Sequence, residues 1–132
     1  MSKRHAADSY VGLPWLPKGD TREGVSCWGL VALYHREQLG GTLPNYPHAH
    51  DDLDAIRAEV AAALESGQWI LVTLPQDGDV VTLSRRDAPH HLGVFAAGHV
   101  LHVTEQLGRV VAQTPQQLTA ARWGHIRFWR RA

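Results

Sequence analysis

The stretch Gly24-Val25-Ser26-Cys27-Trp28-Gly29-Leu30-Val31-Ala32-Leu33-Tyr34 constrains this chain more than any other. Gly24 and Ser26 are turn and N-cap residue types, and apolar positions recur after them at Leu30, Val31 and Tyr34. That spacing predicts a helix opening at or just before the only cysteine. A thiol at a helix N-terminus meets unpaired backbone N–H groups and the positive end of the helix dipole. Both favour the thiolate, the reactive form, so a depressed Cys27 pKa is expected. The stretch alone fits two readings, a nucleophile or a small buried hydrophobe.

Residues downstream separate the two. His90-His91-Leu92-Gly93-Val94-Phe95 and Val100-Leu101-His102-Val103 read as strands around a turn at Ala97-Gly98. Alternation puts His91, Gly93 and Phe95 on one face of the first strand, and Val100 and His102 on one face of the return. His91 and His102 then become near cross-strand neighbours. One imidazole can take the thiol proton while the other holds the first ring in the right tautomer. The expected roles are Cys27 as nucleophile, His91 as base and then acid, and His102 as orienter. A one-residue slip would exchange His90 for His91, and the Leu-Gly-Val pattern favours His91. Gly93 is expected to let the cysteine helix approach closely.

Composition narrows the alternatives. With 132 residues, 44% hydrophobic and 20% charged, residues 1–132 are expected to form one globular domain with a real core. Formal net charge is zero, which gives no support to nucleic-acid binding through bulk charge. A single cysteine excludes an intrachain disulfide and a cysteine-rich zinc site. No apolar run reaches the roughly 18 residues of a membrane span, and no apolar region follows the basic start, so no signal peptide is read. His48 and His50 could pair on a metal, but no acidic or cysteine partner stands at ligand spacing, and no metal or cofactor is expected. His5, His35 and His125 are expected at the surface or a boundary, and His99 in an exposed turn.

Periodicity and turn residues predict helices over residues 26–39 and 52–65 and a short one over 115–121. Strands are expected over 69–74, 80–83, 91–95, 100–103 and 109–112, the first of them buried, with a closing edge strand over 126–129. Helices first and antiparallel strands later give an α+β layout. Trp69, Trp123, Phe128 and Trp129 are expected in the core or an interface, and Arg127, Arg130 and Arg131 in a solvated tail.

Ser26-Cys27-Trp28-Gly29-Leu30-Val31, Gly78-Asp79-Val80-Val81, His91-Leu92-Gly93-Val94-Phe95 and His102 together resemble the NlpC/P60 cysteine peptidases. Tyr10-Val11-Gly12-Leu13-Pro14-Trp15, Arg22-Glu23-Gly24, then Tyr34, Arg36, Glu37, Leu39 and Gly40, and Leu43-Pro44-Asn45-Tyr46 are similar to the phage-tail branch of that family. The resemblance implies a papain-like α+β fold, with the cysteine helix packed on an antiparallel sheet. It implies hydrolysis of bacterial peptidoglycan stem peptides, commonly between D-glutamate and diaminopimelate, through an acyl-enzyme. For the phage branch it implies a protein made in the bacterial cytoplasm and carried at a tail tip, as also in gene transfer agents. Tail-tip and hub proteins would be its neighbours, and the cell wall its place of action. Cys27, His91 and His102 fall on the catalytic positions, and Trp15, Ser26 and Trp28 on the substrate and oxyanion side. The family usually has aspartate where Ser26 stands and tyrosine where Trp15 stands. Two other expectations compete with the peptidase: a structural tail-tip component with little or no hydrolysis, and a thiol acyltransferase or amidase.

Overall fold

A computed structural model describes residues 5–41, 43, 53–85 and 91–132. The proposed metal pair His48 and His50, and His90, lie outside the described residues. A short 3-10 turn (Ala6–Ser9) and a small hairpin, β1 (Asp20–Thr21) and β2 (Gly24–Val25), lead into α1 (Cys27–Tyr34). The chain then widens into a π-turn over His35–Leu39 and stops at Gly40, whose φ of 67° breaks the coil. The helix expected over 26–39 is therefore two coils of different pitch.

After α2 (Leu53–Glu65) come β3 (Trp69–Val72), β4 (Val80–Ser84), β5 (His91–Ala96), β6 (His99–His102) and β7 (Val111–Gln113). Then follow α3 (Pro115–Ala120) and β8 (Gly124–Arg131). Among the described residues β3 to β8 form one antiparallel sheet in the order β3-β8-β4-β5-β6-β7. This is the expected α+β layout, with two corrections. The last strand is not an edge: β8 lies between β3 and β4. The run expected to be a buried strand is the edge instead, with Ile70 and Leu71 about half exposed.

Alternation sorts the sheet into two faces. Leu92, Val94 and Leu101 face α1, meeting Trp28, Leu30, Val31 and Tyr34 in the larger core. Val81, Leu83 and Val100 face the other way, under Leu118 of α3 and Trp123. Thr114 caps α3 through a reciprocal pair with Gln117, which fixes where the strand β7 ends and the helix begins.

Polar contacts pin the ends. His35 is buried, not superficial, because its Nε2 lies 2.6 Å from the Gly78 carbonyl and a ring N–H can donate there. Arg130 is no free tail: its guanidinium donates both ways to the buried Asp79 carboxylate, at 2.8 Å each. Tyr10 donates to Glu37 Oε1 at 2.7 Å and Arg22 donates to the same oxygen at 2.8 Å, so the N-terminal arm is clamped to the π-turn.

The start of α1 is fixed by backbone. Ser26 N–H donates to the Gly19 carbonyl at 2.9 Å, and that carbonyl lies so close to Gly29 that a Cβ there would stand 1.6 Å from its oxygen. Gly29→Ala is expected to destabilise the chain by about 1–3 kcal/mol or more, through forced displacement in a packed site. Gly41→Ala, at an exposed position with nothing within 4 Å, should stay within about 0.5 kcal/mol. Chemical denaturation of both variants checks this, and equal losses would refute the contact.

Candidate active site

Cys27 is the first residue of α1, and Ser26 is its cap: the hydroxyl accepts the Gly29 N–H at 3.0 Å. Ser26 is thus the helix cap that its residue type predicts. The Trp28 side chain is buried in the core between α1 and α2, and its backbone N–H acts on the sulfur. Trp15 is half-buried on the loop beside the helix start, held by a bridge to Val25 and by its own N–H donating to the Gly108 carbonyl at 2.9 Å.

The two histidines come together. His91 opens β5 and His102 closes β6, and the paired residues run from Ala96↔His99 to Val94↔Leu101. Their rings share the face that carries Trp123. His91 Nε2 lies 3.0 Å from His102 Nδ1, and His102 Nε2 lies 2.6 Å from Gln113 Oε1. The His91 ring stacks on Trp123 at 4.8 Å between centroids and 21° between planes. Arg85 lies over the same indole, 4.1 Å from its centroid. A cavity of about 580 Å³ opens beside the two rings, lined also by Arg85, Gln113 and Trp123.

Gly93 has a different purpose from the expected one. A Cβ there would meet Leu101 O at 2.6 Å and Val100 Cγ1 at 2.9 Å, so the close approach it permits is that of β6. It lets the strand bearing His102 lie tight against the strand bearing His91.

The sulfur reaches strand β5 at the open end of the β5–β6 ladder. Amides alternate along a strand. Phe95 N–H donates toward β4, to the Asp79 carbonyl at 2.8 Å, so the Leu92 N–H points to the β6 side. Leu92 lies beyond the last β5–β6 pair, and its N–H acts on the Cys27 sulfur. The helix on one face therefore delivers its thiol to the backbone of Leu92, the residue that follows His91 in β5. Among the described residues no hydrogen bond joins the sulfur to either ring; the chain itself, through His91-Leu92, is the link.

Electrostatics overturn one expectation. Cys27 is half-buried with protein packed around its sulfur, and burial pushes the thiol pKa up. The N–H groups of Leu92, Trp28 and Cys27 itself pull it back by less. The helix start acts as expected, but loss of water outweighs it. His102 is pushed down by burial, up by Gln113 and down again by the Arg85 charge. Two contributors escaped sequence reading. Gln113 lies just past the strand expected over 109–112, and Trp123 follows a short helix with no periodic signal to mark it. Among the described residues no group of three or more histidine, cysteine, aspartate or glutamate side chains could hold a metal, and no helix is long and apolar enough to cross a membrane.

A family model described as the NlpC/P60 family matches residues 12–127. Among solved structures, the NlpC/p60 domain of peptidoglycan hydrolase SagA is similar, with a TM-score of 0.59 and 15% identity over 92% of this chain and 91% of that one. At that identity the likeness is one of fold. No curated protein sequence matches.

His35, like His102, is pushed below the ordinary histidine value, first by burial. The folded chain therefore keeps both rings neutral at a pH where the unfolded chain protonates them. Their contribution is complete above the unfolded value, about 6.5. It is lost as the pH falls through that value toward the folded ones. The melting temperature is expected to fall between pH 7.5 and 5.5. His35→Asn should flatten that slope, and an unchanged slope in this variant would count against a neutral buried ring.

Proposed function

The chain belongs to the NlpC/P60 family and is a cysteine peptidase, and from that premise we propose that it hydrolyses peptide bonds in the stem peptides of bacterial peptidoglycan. The observation that carries the mechanism is the aligned row Gln113–His102–His91, whose last member directly precedes the amide at the Cys27 sulfur.

The steps follow from the surroundings. The thiol is protonated at rest because burial raises its pKa, so its proton leaves for His91 as the sulfur attacks the amide carbonyl. The new S–C bond makes a tetrahedral oxyanion, which the Cys27 N–H at the helix start is placed to receive. The C–N bond breaks as His91 returns the proton to the departing amine. Water, deprotonated by the same ring, then cleaves the thioester and restores the thiol.

The finer reading is a D-glutamyl–diaminopimelate endopeptidase carried at the tip of a phage or phage-like tail. It is supported by the sequence pattern from Tyr10 to Tyr46. The solved relative is titled a peptidoglycan hydrolase, which supports the substrate class. Trp15 favours a second reading, a structural tail-tip subunit: an indole donates a hydrogen bond but accepts none, unlike the tyrosine usual there.

Purified peptidoglycan incubated with the chain should release muropeptides cut within the stem. Cys27→Ala should release none. His91→Ala should lower the rate by about 10²–10⁴-fold. Release that survives Cys27→Ala would sink the nucleophile assignment. No release from the wild type, together with stable incorporation into tails, would favour the structural subunit.

A further inference from the structure

We propose that Arg85 is a specificity residue that takes a free carboxylate on the half of the substrate that leaves as the amine. The inference rests on the stem-peptide reading above.

The guanidinium is fixed from two sides. Arg85 directly follows β4, and its Nη2 donates to the carbonyl of Ala121, the C-cap of α3, at 3.2 Å. Its central carbon lies 4.1 Å from the centroid of the buried Trp123 indole. A ring at that distance holds the cation through its quadrupole, not through an acceptor atom. A guanidinium has five N–H donors. Among the described residues the Ala121 carbonyl is the one protein acceptor they meet, and no acidic side chain pairs with them there. The residue is exposed, so an anion can reach it, and its two contacts have already removed much of the freedom that binding would cost.

The cavity of about 580 Å³ decides what arrives at that cation. Among the described residues Arg85 is its charged side chain, beside His91, His102 and Gln113, and no carboxylate lines it. The field there favours an anion, and nothing in that lining competes for the guanidinium. Burial, and after it the Arg85 charge, lower the pKa of His102, so the field of the cation extends to the rings.

The same lining indicates which half of the substrate fits. It includes both imidazoles and, among the described residues, not Cys27. The acyl half stays bonded to the sulfur in the thioester, and the amine half departs. A space bordered by the rings and not by the sulfur suits the amine half. In a D-glutamyl–diaminopimelate bond that half begins at diaminopimelate, a dicarboxylic acid joined there through an amino group, so neither of its carboxyls is used in the scissile bond. The planar fork of an arginine matches a carboxylate with two hydrogen bonds. Amidation removes the charge and turns one of the two acceptors into a donor.

The test uses the full chain and two synthetic stem peptides that differ only at the diaminopimelate carboxyl outside the peptide chain, a free acid in one and a carboxamide in the other. The free acid should be cleaved with a kcat/KM at least about tenfold higher, through KM. Arg85→Gln should bring that ratio near one, and Arg85→Lys, which keeps the charge without the fork, should leave a smaller preference. Each ratio compares two substrates on one protein, so an effect of the lost charge on His102, or of a looser fold, divides out. Equal kcat/KM on the two peptides in the wild type, or a preference that survives Arg85→Gln, would overturn the proposal. So would a preference that follows amidation of the spare glutamate carboxyl instead. Calorimetric binding of the same peptides to the Cys27→Ala chain separates this reading from the peptidase itself. Carboxylate-dependent binding that disappears when Arg85→Gln is added would keep the subsite even if the wild type cut nothing. Cleavage without discrimination would keep the peptidase and remove the subsite.

Discussion

One backbone contact locates the chemistry: the Gly19 carbonyl set against the first turn of α1. It takes the Ser26 N–H and touches Gly29 where any other residue would place a Cβ. The Ser26 hydroxyl satisfies a second free amide of the same turn. Between them these bonds leave the start of the helix no freedom to rotate or slide, so the position of the Cys27 sulfur is set by main chain. The same logic governs the other half of the site. Gly93 admits β6 to backbone distance, which brings His102 beside His91. Both halves are held by close approaches that only glycine permits.

The electrostatic setting explains why such precision is needed. A thiol kept neutral by burial has no standing attraction to an imidazole. A thiolate and an imidazolium would find each other across a loose cleft; a thiol and a neutral ring depend on geometry. Here the two lie on opposite faces of the sheet, and the sulfur reaches β5 at Leu92, next to His91 in the chain. The amides of Leu92, Trp28 and Cys27 stand ready on the sulfur side, while His102 and Gln113 stand behind the ring. Burial disfavours the charged form of both the thiol and the second imidazole, His102.

Much of this arrangement can be read locally. Strand alternation by itself puts His91 and His102 on a common face, and cap chemistry puts Cys27 at a helix start. What escapes is non-local. Gln113 is missed because the strand runs one residue past the end that the apolar pattern Arg109-Val110-Val111-Ala112 suggests, so the residue that meets His102 reads as loop. Trp123 is buried as expected, but its stacking on His91 goes unread because it follows a six-residue helix and a residue, Arg122, at a φ of 69°, where no periodicity survives. The insertion of β8 between β3 and β4 reflects pairing between segments far apart in the chain, and nothing within Ile126-Arg127-Phe128-Trp129 marks it as an inner strand.

The residues that give the sequence its family likeness divide into two kinds, and the division bears on what the likeness can mean. Tyr10, Arg22 and Glu37 form a clamp: phenol and guanidinium share one carboxylate oxygen, and the guanidinium lies 4.6 Å over the phenol ring. Asp79 anchors Arg130 and thereby the end of β8. These motifs hold elements together and touch neither the sulfur nor the rings. Cys27, His91 and His102 are of the second kind, a thiol and two imidazoles, the groups on which the proposed reaction runs. A motif of the first kind is retained by any chain that needs this fold, whether or not it still cuts peptide bonds. Only the second kind speaks to chemistry, and there the arrangement is complete in a way that packing alone does not require. A ring that only filled space would need no partner on each nitrogen, yet His102 is held at both, by a second imidazole and by an amide oxygen.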